Sequence, residues 1–253
     1  MDSTIIILCI VAFFAGFVDS IVGGGGLIQT PAGLILLPNN PVAQVIGSLK
    51  IPSFTGTLFA AAAFLKKVKI PFVRIVLFTS IAFTASYTGS LCLTMVSNAF
   101  MKPVILIVLI AIAMYTFSEK KFGQETKNEN LTFPWYKGAL ICLVIGFYDG
   151  FIGPGAGSLL VIAFIALLGF DFLQANAHAK VVNLATNMGS IVLFIMKGAI
   201  LWHIALPMAI CNAVGGIIGS RMALSKGNRF IRTVFLWVII ATLCRLGYDV
   251  FLH

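Results

Sequence analysis

Charge is scarce in this chain. Charged residues fill 10% of its 253 positions, and only 8 residues are acidic. A soluble domain carries about a quarter charged residues, so a water-facing globule is excluded. Histidine occurs only 3 times, and the 5 cysteines (Cys9, Cys92, Cys142, Cys211, Cys244) all lie in apolar stretches without metal-ligand spacing. They read as small packing residues, and no metal site and no cofactor are expected. No glycine cluster continues into GK[ST] or follows a strand, which excludes P-loop and dinucleotide folds. No Cys/His cluster, close acidic pair or large loop offers a catalytic constellation, so no catalytic residue is assigned. The opening MDS has no basic n-region, and no small-residue cleavage site follows. The first apolar segment is therefore expected to remain as a helix.

What fills the chain instead is apolar. Hydrophobic residues make up 60%, and the mean hydropathy is +1.05. About 20 such residues cross a hydrocarbon core of about 30 Å. The expected fold is an all-α integral membrane protein with about eight long helices: Thr4–Val22, Val42–Leu65, Phe72–Val96, Val104–Phe117, Gly138–Ile152, Leu173–Met196, Ile204–Leu224 and Thr233–Phe251. Two shorter pieces, Leu27–Leu37 and Ser158–Phe170, are too short for comfortable spans and are expected to be re-entrant. The formal charge of +9 belongs with basic loops that orient the chain in a bilayer, not with nucleic acid. The lipid bilayer is the expected partner, and a homo-oligomer stays open.

The chain also repeats itself. GFVDSIVGGGG at Gly16 matches GFYDGFIGPGA at Gly146. A constant shift of 130 residues carries Asp19 onto Asp149, Gln44 onto Gln174, Lys50 onto Lys180 and Lys67 onto Lys197. It also carries Gly89-Ser90 onto Gly219-Ser220. Matched Asp, Gln and Lys are hard to obtain by chance in so apolar a chain. The expected organisation is a first membrane repeat at 1–117, a polar cytoplasmic linker at 118–130 and a second repeat at 131–253. Basic residues then set the handedness. The loop at 66–74 holds Lys66, Lys67, Lys69 and Arg74, while its counterpart at 196–204 holds one Lys and one His. At the next loop the bias reverses: 96–102 has one Lys, and 221–232 has Arg221, Lys226, Arg229 and Arg232. Basic loops prefer the cytoplasm, so equivalent loops fall on opposite faces, as in inverted-topology repeats. Both termini then come out external.

Several residues are costly enough to need a reason. Four glycines in a row break a helix, and irregular backbone survives at membrane depth only in protein or beside a cavity. Gly23, Gly24 and Gly25, with Gly153, Gly155 and Gly157, are therefore candidate substrate-binding turns, whose free N–H groups and helix dipoles suit a small anion. Close helix packing is the other reading. Asp19 and Asp149 either lock the turns by accepting N–H groups or carry protons. Asn176, Lys180, Asn183 and Asn187 share one helical face. Their counterparts are Ile46, Lys50, Ser53 and Thr57. A lysine at the centre of a span costs about 2.5–3.5 kcal/mol, so Lys50 and Lys180 are either anion ligands or structural partners of the aspartates. Gln44 and Gln174 join the candidate substrate-binding set. His178 has no counterpart, Ser48 standing there, and is either a satisfied core residue or a proton carrier. It and the Asn stripe put more weight on Lys180 than on Lys50. Pro52 should kink its helix, and Gly215 with Gly219 reads as close packing.

GFVDSIVGGGGLIQTPAGL, GFYDGFIGPGAGS and AHAKVVNLATNMGSIVLF resemble the TauE/SafE family of membrane permeases, often called sulfite exporters, over essentially the whole chain. Within it the resemblance is to the YfcA-like bacterial inner-membrane branch. The resemblance implies a secondary transporter, usually outward, for sulfite, sulfonates or another sulfur-containing anion, in the bacterial cytoplasmic membrane. The alternative is a membrane enzyme or assembly factor acting on a lipid-soluble substrate.

Overall fold

The computed structural model describes residues 3–97, 104 and 134–251. Among these residues eight helices follow in order: α1 Ser3–Val22, α2 Gly25–Leu36, α3 Val42–Leu65, α4 Phe72–Met95, α5 Trp135–Phe151, α6 Ala156–Leu168, α7 Phe172–Met196 and α8 Trp202–Phe251. No strand occurs among the described residues. Gly227 takes non-helical angles (φ 69°, ψ −164°) and divides α8 in two. The expected helix Val104–Phe117 and the linker lie outside the described residues, Val104 excepted.

Local chemistry explains the boundaries. Pro41, Pro71 and Pro134 stand just before α3, α4 and α5, with φ of −54°, −56° and −60°. A helix entry needs no N–H there, and proline has none to waste. Asp171 caps α7 by accepting the Gln174 N–H at 2.7 Å. Gly169, in left-handed backbone, ends α6 while the Phe170 N–H reaches back to Phe164 O at 3.3 Å. Pro52 does not divide α3, which continues through it.

Among the described residues, five helices are long and apolar enough to cross a membrane: Ser3–Val22, Val42–Leu65, Phe72–Met95, Phe172–Met196 and Trp202–Gly227. Their outer faces are greasy. Ile6, Ile10 and Phe14 on α1, Leu140 and Val144 on α5, and Leu206, Ile210 and Val214 on α8 are all exposed at four-residue spacing. Exposed apolar surface on this scale needs lipid. The polar residues turn inward: Lys50, Asp149, Lys180, Asn183 and Asn187 are buried.

Close packing rests on small residues. A Cβ on Gly219 would strike the Phe17 backbone of α1, and one on Gly89 would strike Phe147 of α5. Gly215 admits Phe13 and Phe17 in the same way, as the GxxxG reading expects. The helix contacts come in matched pairs: α1–α8 with α4–α5, α3–α8 with α4–α7, α1–α2 with α5–α6, and α2–α3 with α6–α7. Helices α3 and α7 touch each other.

Candidate functional site

The glycine breaks are true turns. Gly23 (φ 81°) ends α1, and Gly153 (φ 93°) and Gly155 (φ 76°) separate α5 from α6. At Gly23 and Gly157 the two turns press together. A Cβ on Gly157 would lie 2.5 Å from Gly23 O, and one on Gly26 would lie 3.3 Å from both Gly155 N and Pro154 Cα. The first turns of two short helices therefore abut, each with N–H groups that have no partner inside their own helix. Two side chains of the second half stitch the seam to the end of α1. Ser158 Oγ donates to Val22 O at 3.3 Å, and Asn176 Nδ2 donates to Ile21 O. These use carbonyls that the end of α1 leaves open.

Two ion pairs cross this seam, one buried and one part-buried. Lys50 Nζ on α3 donates to Asp149 Oδ1 at 2.8 Å and to Asp149 O at 2.7 Å. Lys180 Nζ on α7 donates to Asp19 Oδ2 at 3.3 Å and to Asp19 O. The lysines are therefore not bare cations facing one another, and the four charges sum to zero. The aspartates differ in what else they hold. Asp19 Oδ1 accepts the Gly25 N–H at 3.3 Å, and its Oδ2 accepts the Thr57 hydroxyl at 3.2 Å. Asp19 thus fastens its turn. Asp149 Oδ2 is buried with no partner among the described residues.

A small, partly open cavity lies against the turns. Of the residues singled out in the sequence, it brings together Asp19, Gly23, Lys50, Ser53, Asp149, Gly153, Gly155, Gly157, Asn183 and Asn187. Asn187 Nδ2, a buried donor, has no partner among the described residues. Other candidates lie off the wall. Lys180 is sealed behind Asp19, and Thr57 is spent on that carboxylate. Gly24 and Gly25 begin α2 behind the lining. Gln44 and Gln174 sit at the starts of α3 and α7: Gln44 Oε1 takes Asn40 Nδ2 at 3.3 Å, and Gln174 N–H serves the Asp171 cap. His178 packs against Phe170 and Phe164, with ring centroids 4.5 and 6.0 Å away. Its Nδ1 lies 2.8 Å from Gln174 O.

The family model described as "Sulfite exporter TauE/SafE" matches residues 8–246. The chain belongs to the TauE/SafE family. A relative from Haemophilus influenzae, named "Probable membrane transporter protein", is 34% identical over 98% of this chain and 96% of its own. The "Probable membrane transporter protein YfcA" of Escherichia coli K12 is 33% identical over 96% of this chain and 89% of its own. The "Probable membrane transporter protein YunE" of Bacillus subtilis is 26% identical over 96% and 97%. No solved structure matches.

Within this TauE/SafE chain, sequence reasoning missed a second polar connection. Gln29 lines the cavity from α2, donating to Leu49 O at 2.9 Å and Ser53 Oγ at 3.4 Å. Its Oε1 accepts Asn212 Nδ2 from α8 at 3.0 Å. That bond holds the Gln29 amide with its donor end toward Ser53. Its signal in the sequence is a lone glutamine in the apolar piece LIQT, but the matched position is Leu159, so the repeat does not mark it.

Proposed function

We propose that the protein is a secondary transporter of a small anion, with a sulfur oxyanion such as sulfite or a sulfonate as substrate and export as the direction. The observation that carries this reading is the cavity at the abutting turns. It holds one lysine and an unpartnered Asn187 donor beside two helix N-termini, and each of these suits negative charge. The two carboxylates on the same wall, Asp19 and Asp149, are each held by a lysine. The family's description as a sulfite exporter supports the solute, and the relatives' names support membrane transport. Lys50, Ser53, Asn183, Asn187, Gln29, Gly23, Gly153, Gly155 and Gly157 form the proposed binding wall. Lys50 rather than Lys180 carries the weight, because it lines the cavity and Lys180 does not.

The two halves are proposed to be inverted repeats, 1–117 and 131–253, in a bacterial cytoplasmic membrane with both termini external. Matched helix contacts support this, as do the crossed pairs: Lys50 of one half takes Asp149 of the other, and Lys180 takes Asp19. The short helices of 12 and 13 residues are about 18 and 20 Å long. Two re-entrant hairpins from opposite faces then meet tip to tip near mid-membrane. Rocking of the halves about that contact would expose the cavity to either side in turn.

Counterflow in proteoliposomes tests the reading. Vesicles preloaded with sulfite, taurine, ethanesulfonate, sulfate or chloride are offered a labelled sulfonate. Faster uptake into vesicles loaded with a sulfur oxyanion is expected. Equal uptake in every loading, or a chemical product formed without flux, overturns transport.

A further inference from the structure

The two ion pairs are equivalent in sequence but not in surroundings, and this difference points to a coupling ion. Asp19 uses both carboxylate oxygens and keeps Lys180, Thr57 and the Gly25 N–H. Neither an anion in the cavity nor a rocking of Lys50 removes these partners. Asp149 has one side-chain partner, Lys50, and that partner is also the lysine on the cavity wall. Its other oxygen is buried and unpartnered among the described residues. An anion that claims Lys50 therefore takes away the countercharge of Asp149. It would leave a buried carboxylate beside a second negative charge, an arrangement that low-dielectric surroundings forbid.

We propose that Asp149 is the proton site of the transport cycle: it gains one proton at Oδ2 as the anion engages Lys50, and loses it when the Lys50–Asp149 pair re-forms. The inference rests on the anion reading above and deepens it. The balance is simple. The empty pair carries one positive and one negative charge. The loaded site carries Lys50 positive, a monovalent anion negative and Asp149 neutral. The proton comes from water on the side where the cavity is open and leaves with the anion on the other, so anion and proton move together without net charge.

The neighbouring groups fit this assignment. From α3, Lys50 faces Asp149. From α1, Asp19 shares the cavity but keeps Lys180 of α7. Helix α7 otherwise turns Asn183 and Asn187 to the wall. Helix α4 presents Ser86, Gly89 and Ser90 to α5, with Ser90 Oγ donating to Gly150 O at 3.1 Å. Helices α2 and α6 carry no titratable residue. On α5 itself, the Tyr148 hydroxyl is spent on Pro154 O. Asp149 is thus the carboxylate whose side-chain partner is the lysine on the cavity wall.

Proton uptake on binding decides the matter. Purified protein in weakly buffered detergent solution is titrated with ethanesulfonate, which stays ionised throughout and cannot itself supply or take the proton. A pH dye counts protons while calorimetry counts bound anion. About one proton per anion is expected, with affinity weakening about tenfold per unit of rising pH while the free carboxyl is ionised. Asp149→Asn, a fixed mimic of the protonated form, should bind with no proton uptake and no pH dependence. A merely structural aspartate would change folded yield and leave the proton count alone. Should Asp149→Asn not fold, the wild-type count together with an anion-induced infrared band of a protonated carboxyl still decides. Binding without proton uptake overturns the coupling and leaves the anion reading standing. Binding that instead requires sodium overturns it in favour of a metal cation at the same oxygen. No binding of ethanesulfonate by wild type, with no counterflow of any sulfur oxyanion, overturns both.

Discussion

Lys50 and Lys180 show how two residues in matched positions come to do different work. In the sequence each is a lysine deep in an apolar segment, with an aspartate available in either half. Folding gives Lys50 a place on the cavity wall and buries Lys180 completely. Lys50→Gln should therefore weaken sulfonate binding by about tenfold or more, the worth of a charge-assisted contact of roughly 1.5–3 kcal/mol, measured by calorimetry on folded protein. Lys50→Gln and Lys180→Met both break an ion pair from one side, which in a buried pair costs about 3–5 kcal/mol of stability, but Lys180→Met should leave the affinity of the folded protein nearly unchanged. Thermal unfolding in detergent reads this, and Lys180→Met with Asp19→Asn should recover part of the loss. If Lys180→Met folds as wild type and loses only affinity, the division of roles drawn here is wrong. The polar stripe of α7 was legible because its spacing is helical. Its destinations were not, because Asn176 reaches α1 while Asn183 and Asn187 reach the cavity.

At the scale of elements, the hairpins α1–α2 and α5–α6 owe their form to glycine at two kinds of place. Gly23 needs left-handed backbone and also sits against Gly157, where an added Cβ would meet backbone atoms that cannot turn aside. Gly198 needs left-handed backbone (φ 62°) but has nothing within 4 Å of an added Cβ. The comparison separates conformation from contact. Gly198→Ala should cost about 1–2 kcal/mol, the penalty of the left-handed region alone, with transport retained. Gly23→Ala should cost more and abolish counterflow, because it pushes the two hairpin tips apart. Equal thermal shifts in the two variants would mean that the tips do not depend on their contact. The breaks themselves were legible, since no helix runs through GGGG or GPGAG. That the tips touch was not, because 134 residues separate Gly23 from Gly157.

For the whole molecule, the reversed basic bias of matched loops is a statement about sides. A cysteine at Lys69 and another at Ala199, each alone in a chain freed of native cysteine, should react with an impermeant thiol reagent from opposite faces of the membrane. Lys69 should label from the cytoplasmic face and Ala199 from outside. Labelling of both from one face would sink the inverted arrangement, although the cavity and its ion pairs would remain as described.

The sequence by itself determined that this is a helical membrane chain, where most of its helices begin and end, and which few polar residues needed a reason to be there. Those properties follow from local composition: apolar length, helical spacing, proline at entries and glycine at breaks act within a few residues of themselves. Kinship to the TauE/SafE family was legible for the same reason, since its motifs are short and contiguous. Only the tertiary structure decided the partners. The crossing of Lys50 to Asp149 and Lys180 to Asp19, the bond from Asn212 to Gln29, and the withdrawal of Gln44, Gln174 and Thr57 from the cavity all depend on which helices pack together. Lateral packing is set by how small faces such as Gly89 and Gly219 admit a neighbouring backbone. That choice is made across more than a hundred residues of chain, and no local pattern encodes it.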